Sequence, residues 1–319
     1  MACLTKKARY EMNKEIKNRS LSLEKGDLLP FLLILPTLLI VLIVMIIPLF
    51  YGISISLFRY DIGRTITASD FVGLGNYLRL FKDGTMLKSL TNTVIFAISA
   101  TAGDLIIGTL IAVLLLKITP KARGLLRALY IMPLLISPII VGLIWRYMYD
   151  PSSGFLYWIL SLFGLGIKQF PGMTATSTAL LSVIIAHWWQ VVPFVIIVVT
   201  AGLVSIPNEY YEAAYIDGAG EIRTFFSISL PLLVKVYMVI IIISGVDTIK
   251  VFDIIYSLTQ GGPANSTMSL SIYAYKNGFE MYQMGYAMAI AVFTMFVSFI
   301  IFGIPFIRFG MQSNRQEEA

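Results

Sequence analysis

Six apolar stretches, each long enough to cross a bilayer, constrain this chain more than any short motif: Leu28–Leu57, Thr91–Leu116, Leu125–Met148, Ala179–Val204, Leu232–Leu258 and Met284–Ile307. A hydrocarbon core of about 30 Å takes about 20 apolar residues per helix. The runs lack the alternation of a half-buried strand, and helices satisfy their own backbone polar groups in lipid. Charged residues make up only 13% of the chain, against about 25% in soluble domains, so most of the surface faces something other than water. The fold class expected is all-α, a polytopic membrane protein with six transmembrane helices. Pro36, Pro48, Pro133, Pro138 and Pro193 fall inside the windows and mark kinks.

Basic residues orient the bundle. Residues 1–27 carry Lys6, Lys7, Arg9, Lys14, Lys17, Arg19 and Lys25. The apolar run after them exceeds the ~7–15 residues of a signal-peptide core, so it reads as a first membrane helix and not a cleavable leader. The next loop on that side has Lys117, Lys121, Arg123 and Arg127 and no acid. On the other side, Gly261–Gly278 carries only Lys276, and Arg146–Ser177 only Arg146 and Lys168. The segment Arg59–Lys88 carries five basic residues but also Asp61, Asp70 and Asp83. The balance places both termini in the cytoplasm, with a cytoplasmic segment 1–27, a membrane domain 28–308, a cytoplasmic loop 205–231 and a cytoplasmic tail 309–319. The net charge of +6 follows from this bias and does not point to nucleic acid.

The loop 205–231 is richer in helix formers and carboxylates than a mere connector requires. Pro207 suits a helix start, and Glu209 and Glu212 follow where the helix dipole favours carboxylates. Asp217-Gly218 ends that helix with a left-handed turn. Glu221 opens a second helix with Ile222, Phe225 and Phe226 on one face, and Pro231 separates it from the fifth span. Taken alone, this is either a pair of interfacial helices or an element that docks on something in water.

Charges inside hydrocarbon are costly unless paired or hydrated. Asp104, in the second span, is read as a candidate for the substrate pathway, and Asp247, Lys250 and Asp253 repeat every three residues on the fifth. The trio is read as one helix face, either lining a hydrated route or locking the helix to a neighbour. Trp145, Trp188, Trp189, Gln190 and Tyr256 offer rings and amides suited to sugars. An interfacial aromatic belt is the other reading, although Trp188–Gln190 lies too deep for it. His187, the sole histidine, is read as a hydrogen-bonded packing residue, and Cys3, the sole cysteine, rules out an internal disulfide. The chain has no G-x-x-x-x-G-K-[ST] phosphate loop, H-E-x-x-H or G-x-S-x-G, so neither ATP hydrolysis nor metal or serine chemistry is expected of it.

The string from Glu212 to Leu233, with Glu212, Ala213, Ala214, Asp217, Gly218, Ala219, Ile228, Leu230 and Pro231, resembles the EAA loop of ABC importer permeases. Phe71-Val72-Gly73-Leu74-Gly75-Asn76-Tyr77 is similar to a stretch following the first helix in carbohydrate permeases. Gly261-Gly262-Pro263, Ser266-Thr267, Tyr273, Tyr275 and Gly285-Tyr286-Ala287 are similar to the external segment of one subunit of that branch. The chain resembles the larger of the two maltose permease subunits, with six helices in place of eight, and Pro193 stands where the family often has glycine.

The resemblance implies the fold of a type I ABC importer permease in a bacterial plasma membrane, with ATPase coupling through Glu212, Ala213, Ala214, Asp217, Gly218, Ala219, Leu230 and Pro231. It implies a second, non-identical permease, two ATP-binding-cassette subunits that bind ATP and magnesium, and an extracytoplasmic solute-binding protein. The chain itself is expected to hold no cofactor. The expected cargo is a sugar or oligosaccharide, with glycerol phosphate or another polyol as the alternative. A secondary transporter is a third reading, but the chain lacks the internal repeat that reading needs.

Overall fold

A computed structural model describes residues 29–166, 168 and 170–308. The basic segment 1–27, Cys3 and the tail 309–319 lie outside the described residues. The chain divides into two units, residues 1–54 and 55–319. The described part of the first is helical: α1 (Leu29–Val41), a π-turn (Leu42–Ile46) and α2 (Ile47–Ile55), which runs one residue into the second unit. Its side chains between Leu32 and Phe50 are almost all exposed, as suits a helix whose surroundings are lipid.

The second unit contains α3 (Gly75–Leu80), α4 (Gly84–Leu116), α5 (Pro120–Ile131), α6 (Pro138–Met148) and α7 (Phe155–Leu162). There follow α8 (Ala179–Ser205), α9 (Asn208–Ile216), α10 (Glu221–Thr224) and α11 (Leu230–Leu232). The series closes with α12 (Val234–Ile249), α13 (Asp253–Leu258), α14 (Leu270–Tyr275) and α15 (Met284–Ser298). Among the described residues the only β pairing is an isolated bridge between Phe58 and Phe71.

Four helical stretches are long and apolar enough to cross a membrane, or up to six if each of two bent pairs counts as one span. The straight ones are Leu32–Ile55, Gly84–Leu116, Ala179–Ser205 and Met284–Arg308. The third window is not one rod. It bends by 100° between Pro120–Leu135 and Pro138–Met148. Pro138 removes a backbone donor and pushes the residue before it out of helical geometry, and Ser137 is extended at ψ 138°. The freed Ile136 carbonyl accepts a 2.8 Å hydrogen bond from Gln190 Nε2. The fifth window also breaks, by 67° at Leu233 between Glu221–Leu232 and Val234–Ile249. Pro231 therefore sits inside the short helix before the break. Pro193, by contrast, lies within an unbroken α8.

The second unit is organised around α4 and α8, which pack along most of their length. Small residues such as Ala100, Gly108 and Ala112 on α4 share clusters or contacts with Val183, Val195 and Val199 of α8. Close approach through small side chains is how helices associate when lipid supplies no hydrophobic contrast. Thr101 on α4 and Thr248 on α12 approach within 3.5 Å, which ties the third long helix to the first two.

One end of α4 is fastened by Asp83. Its carboxylate caps the helix, accepting from Thr85 N and Met86 N at 2.9 and 3.1 Å. It also accepts from the hydroxyls of Tyr273 and Tyr286 at 2.6 and 2.8 Å. This cap starts α4 at Gly84, ahead of the expected Thr91. Partial burial opposes ionisation of Asp83, but these four donors outweigh it and hold its pKa below the ordinary carboxylate value. The Arg79 guanidinium stacks 3.9 Å above the Tyr286 ring and donates to Gln283 Oε1 at 3.0 Å. Nearby, Asn76 Nδ2 bonds the carbonyls of Ser56 and Phe58, and Gly285 N bonds Tyr60 O at 2.9 Å. A side chain at Gly285 would collide with the Phe58 carbonyl.

Candidate coupling knob and membrane-embedded polar residues

At the far end of α4, about 50 Å away by helix rise, residues 208–232 form a compact knob. Glu209 lies in the first turn of α9, and Asp217 is the residue that ends it. Ala219 N returns to Ala214 O at 2.9 Å and Gly218 N to Tyr215 O at 3.0 Å. This pair of bonds is a Schellman turn, which needs a left-handed residue, and Gly218 supplies it at φ +71°. The second helix is shorter than expected: α10 ends at Thr224 and passes into a π-turn, Phe225–Ser229.

One contact closes the knob on itself and one ties it to α4. Tyr211 Oη and Ser229 Oγ are 3.1 Å apart, and Lys117 at the end of α4 pairs with Glu221. Arg123 donates to the carbonyls of Leu115, Leu116 and Ile118, closing the C-terminus of α4. Ala214 is buried; Glu212, Ala213, Asp217 and Pro231 are exposed, with Ala219 and Leu230 half-buried. A groove of about 520 Å³ runs along this side, lined by Glu209, Tyr210, Ala213, Asp217, Arg223 and Ile228 among others. Beside it the apolar side chains of Tyr215, Ile216 and Ile222 are 83%, 83% and 77% exposed.

The polar residues expected within the spans divide into two sets. Asp104, Trp145 and Gln190 are buried inside the chain and present no open surface. Asp104 Oδ2 and His187 Nε2 form a 3.1 Å hydrogen bond that joins α4 to α8. The packing role expected of His187 thus comes with a named partner. Gln190 caps the Ile136 carbonyl, and Trp145 packs on Tyr149 and edge-on to Trp189. Trp189, Asp247, Lys250 and Asp253 are exposed, and Tyr256 is half-buried.

The three charges do not share one helix face. Lys250 is the residue at which α12 ends, Phe252 leaves helical geometry at φ −131°, and Asp253 opens α13. Asp247 and Lys250 pair at 2.9 Å, and among the described residues Asp253 has no such partner. Tyr256 stacks on Phe252 with ring centres 5.0 Å apart and meets Tyr275 edge-on at 5.4 Å.

From sequence, Lys117, Arg123 and Asp83 enter only the charge balance, Glu221 is a helix start and Asn76 belongs only to a resemblance; none of these readings anticipates the contacts that the residues make. Asp83 before Gly84-Thr85 is a readable helix cap. The others depend on contacts distant in sequence, which no local pattern carries.

The structure is a bundle of long apolar helices with an exposed knob between two of them, and comparison with known proteins identifies its class as a transport permease subunit and not an enzyme. Residues 104–305 match the family model described as binding-protein-dependent transport system inner membrane component. The chain is 38% identical over 282 residues to the trehalose/maltose transport system permease protein of Thermococcus litoralis, covering 88% of this chain and 93% of the relative. It is 34% identical over 238 residues to the multiple sugar-binding transport system permease protein of Streptococcus mutans, covering 74% and 78%. Its fold matches the crystal structure of a bacterial ABC transporter involved in the import of alginate, with TM-score 0.75 at 22% identity over 95% of this chain and 99% of that one. The chain belongs to the inner-membrane permease family of binding-protein-dependent ABC importers, and its relatives include permeases named for sugars.

Proposed function

We propose that this chain forms half of the translocation pathway of a sugar importer and docks through residues 205–231 on a separate ATPase. The observation that carries the reading is the knob: a closed turn at Gly218 holding three large apolar side chains in the open beside an acid-rimmed groove. Exposed apolar side chains beside a groove are the mark of a surface that a partner covers. Glu212, Ala213, Ala214, Asp217, Gly218 and Ala219 form the turn and its flanks, and Leu230 and Pro231 brace the bend behind it. The basic segment 1–27 and the tail 309–319 are assigned to the cytoplasm with the knob, where ATP and magnesium bind the partner.

The proposed assembly is one copy of this chain, one different permease and two ATP-binding-cassette subunits, served by an extracytoplasmic solute-binding protein. The route is assigned to the exposed set Trp189, Asp247, Lys250, Asp253 and Tyr256. Asp104, Trp145 and Gln190 shape it from behind. Charges exposed on a span are too costly to face lipid, which supports a hydrated cavity at the break between α12 and α13. Asp247 and Lys250 neutralise each other, so Asp253 leaves the cluster net negative. This favours a neutral polyhydroxylated cargo over an anion.

A relative from Agrobacterium fabrum, 30% identical over 273 residues, is named an sn-glycerol-3-phosphate permease, which keeps that cargo as the second reading. Mass measurement of the detergent-solubilised complex tests the assembly, and a transporting homodimer would contradict it. Single cysteines at 247, 250 and 253, after replacement of Cys3, are expected to react with an impermeant thiol reagent in at least one transport state. Protection in every state of an active variant would remove the cluster from the route.

A further inference from the structure

The helix α5 has no counterpart in the reading above. It follows the C-terminus of α4, to which Arg123 fastens it through the carbonyls of Leu115, Leu116 and Ile118. It then bends by 100° into α6. Because α4 is long and apolar enough to cross the bilayer, α5, which begins after a three-residue connection and carries Lys121, Arg123 and Arg127, starts at the membrane surface.

Its sequence is built for that position. At about 100° per residue, Leu125, Leu126 and Leu129 fall within an arc of about 100°. Leu125 and Leu129 are 69% and 55% exposed, and the stripe continues through Met132 and Leu135 at 58% and 79%. Lys121 and Arg127 bound an arc of about 120° on the opposite side, with exposed Gly124 and Ala128 between them. Among the described residues neither Lys121 nor Arg127 makes a side-chain hydrogen bond or ion pair, whereas Lys117 and Arg123 are both engaged. The helix and the loop before it hold no acid.

We propose that α5 lies in the membrane interface, its leucine stripe in the acyl region, and takes the headgroup of an anionic phospholipid on Lys121 and Arg127. The two small residues between the cations leave room for the headgroup, and the charge complementarity selects an anionic lipid over a zwitterionic one. The site adjoins the knob, because Lys117 at the start of the same connection pairs with Glu221. It is independent of what the knob docks on.

The test uses the purified transporter with its native partner subunits, Cys3 replaced by Ser, and Leu129→Cys carrying a bimane fluorophore. Nanodiscs of phosphatidylcholine contain an equal small fraction of doxyl-labelled phosphatidylglycerol or doxyl-labelled phosphatidylcholine. The phosphatidylglycerol form is expected to quench at least about fivefold more effectively, the preference one basic side chain confers near an anionic surface. The Lys121→Gln/Arg127→Gln pair should lose that preference, and Lys121→Arg/Arg127→Lys should keep it. Absence of quenching by either lipid would show that protein covers the leucine stripe and would overturn the proposal. So would equal quenching by both lipids in the unsubstituted helix, or a preference that survives the glutamine pair.

Discussion

The two ends of α4 are finished in opposite ways. At the Asp83 end one carboxylate gathers four donors, Asn76 bridges two carbonyls, and Arg79 stacks on Tyr286. At the Glu221 end one exposed ion pair ties the knob to α4, a hydroxyl contact closes it internally, Tyr211 packs on the core below it, and Tyr215, Ile216 and Ile222 stand in the open. The Asp83 end also exposes apolar side chains, with Leu74, Leu78 and Phe81 at 67%, 64% and 62%, so the two ends differ in how densely their polar groups are bonded and not in whether apolar surface is covered. The contrast also separates stability from coupling: substitutions at the Asp83 end should lower the unfolding temperature, and substitutions at the knob should spare it.

The largest effect is expected from Asp83→Ala. It removes a helix cap and strands two tyrosine hydroxyls, a loss of about 3–5 kcal/mol from the two contributions. Thermal unfolding in detergent measures it, and a loss no larger than a surface substitution would erase the contrast. Gly218→Val comes next. A β-branched residue in the left-handed turn costs about 1–2 kcal/mol locally. No neighbouring atom lies within reach of the added Cβ, so the strain is conformational. The unfolding temperature should move little while stimulation of ATP hydrolysis and uptake are lost, and Gly218→Asn should retain both. Unchanged uptake in the valine variant would make the knob a connector.

A third effect depends on pH. The folded-state pKa of Asp83 lies below its unfolded value. Its contribution is therefore complete above the unfolded pKa of about 3.9 and disappears as pH falls through the folded value. The stability gap between the native chain and Asp83→Asn should be flat near neutrality and close below about pH 4. A gap that widens on acidification would reverse the assignment. The smallest effect is expected from Lys117→Ala: an exposed pair contributes at most about 1 kcal/mol. Loss of cooperative unfolding in that variant would show that the knob is more tightly bound to the bundle than its contacts indicate.

The spans were legible because apolar run length is a local property, and so was the Gly218 turn, whose residue types announce a helix end. Breaks within spans were harder to read. Pro138 bends its helix by 100° while Pro193 lies in an unbroken one, and the difference rests on what surrounds each, such as Gln190 taking up the Ile136 carbonyl. The i, i+3 spacing of Asp247, Lys250 and Asp253 assumed a helix that ends at Ile249. Asp104 looked like a pathway residue because a lone carboxylate in a span is costly. Its partner His187 lies 83 positions away, beyond any sequence window.

The exposed apolar face of the knob is proposed to dock on an ATP-binding-cassette subunit. A photo-crosslinking amino acid at Ile216, and separately at Ile222, illuminated in native membranes and followed by mass spectrometry of the adducts, tests this most directly. The account predicts adducts to an ATP-binding-cassette subunit from both positions, reduced by Gly218→Val. Adducts confined to lipid, to this chain or to another permease would contradict it.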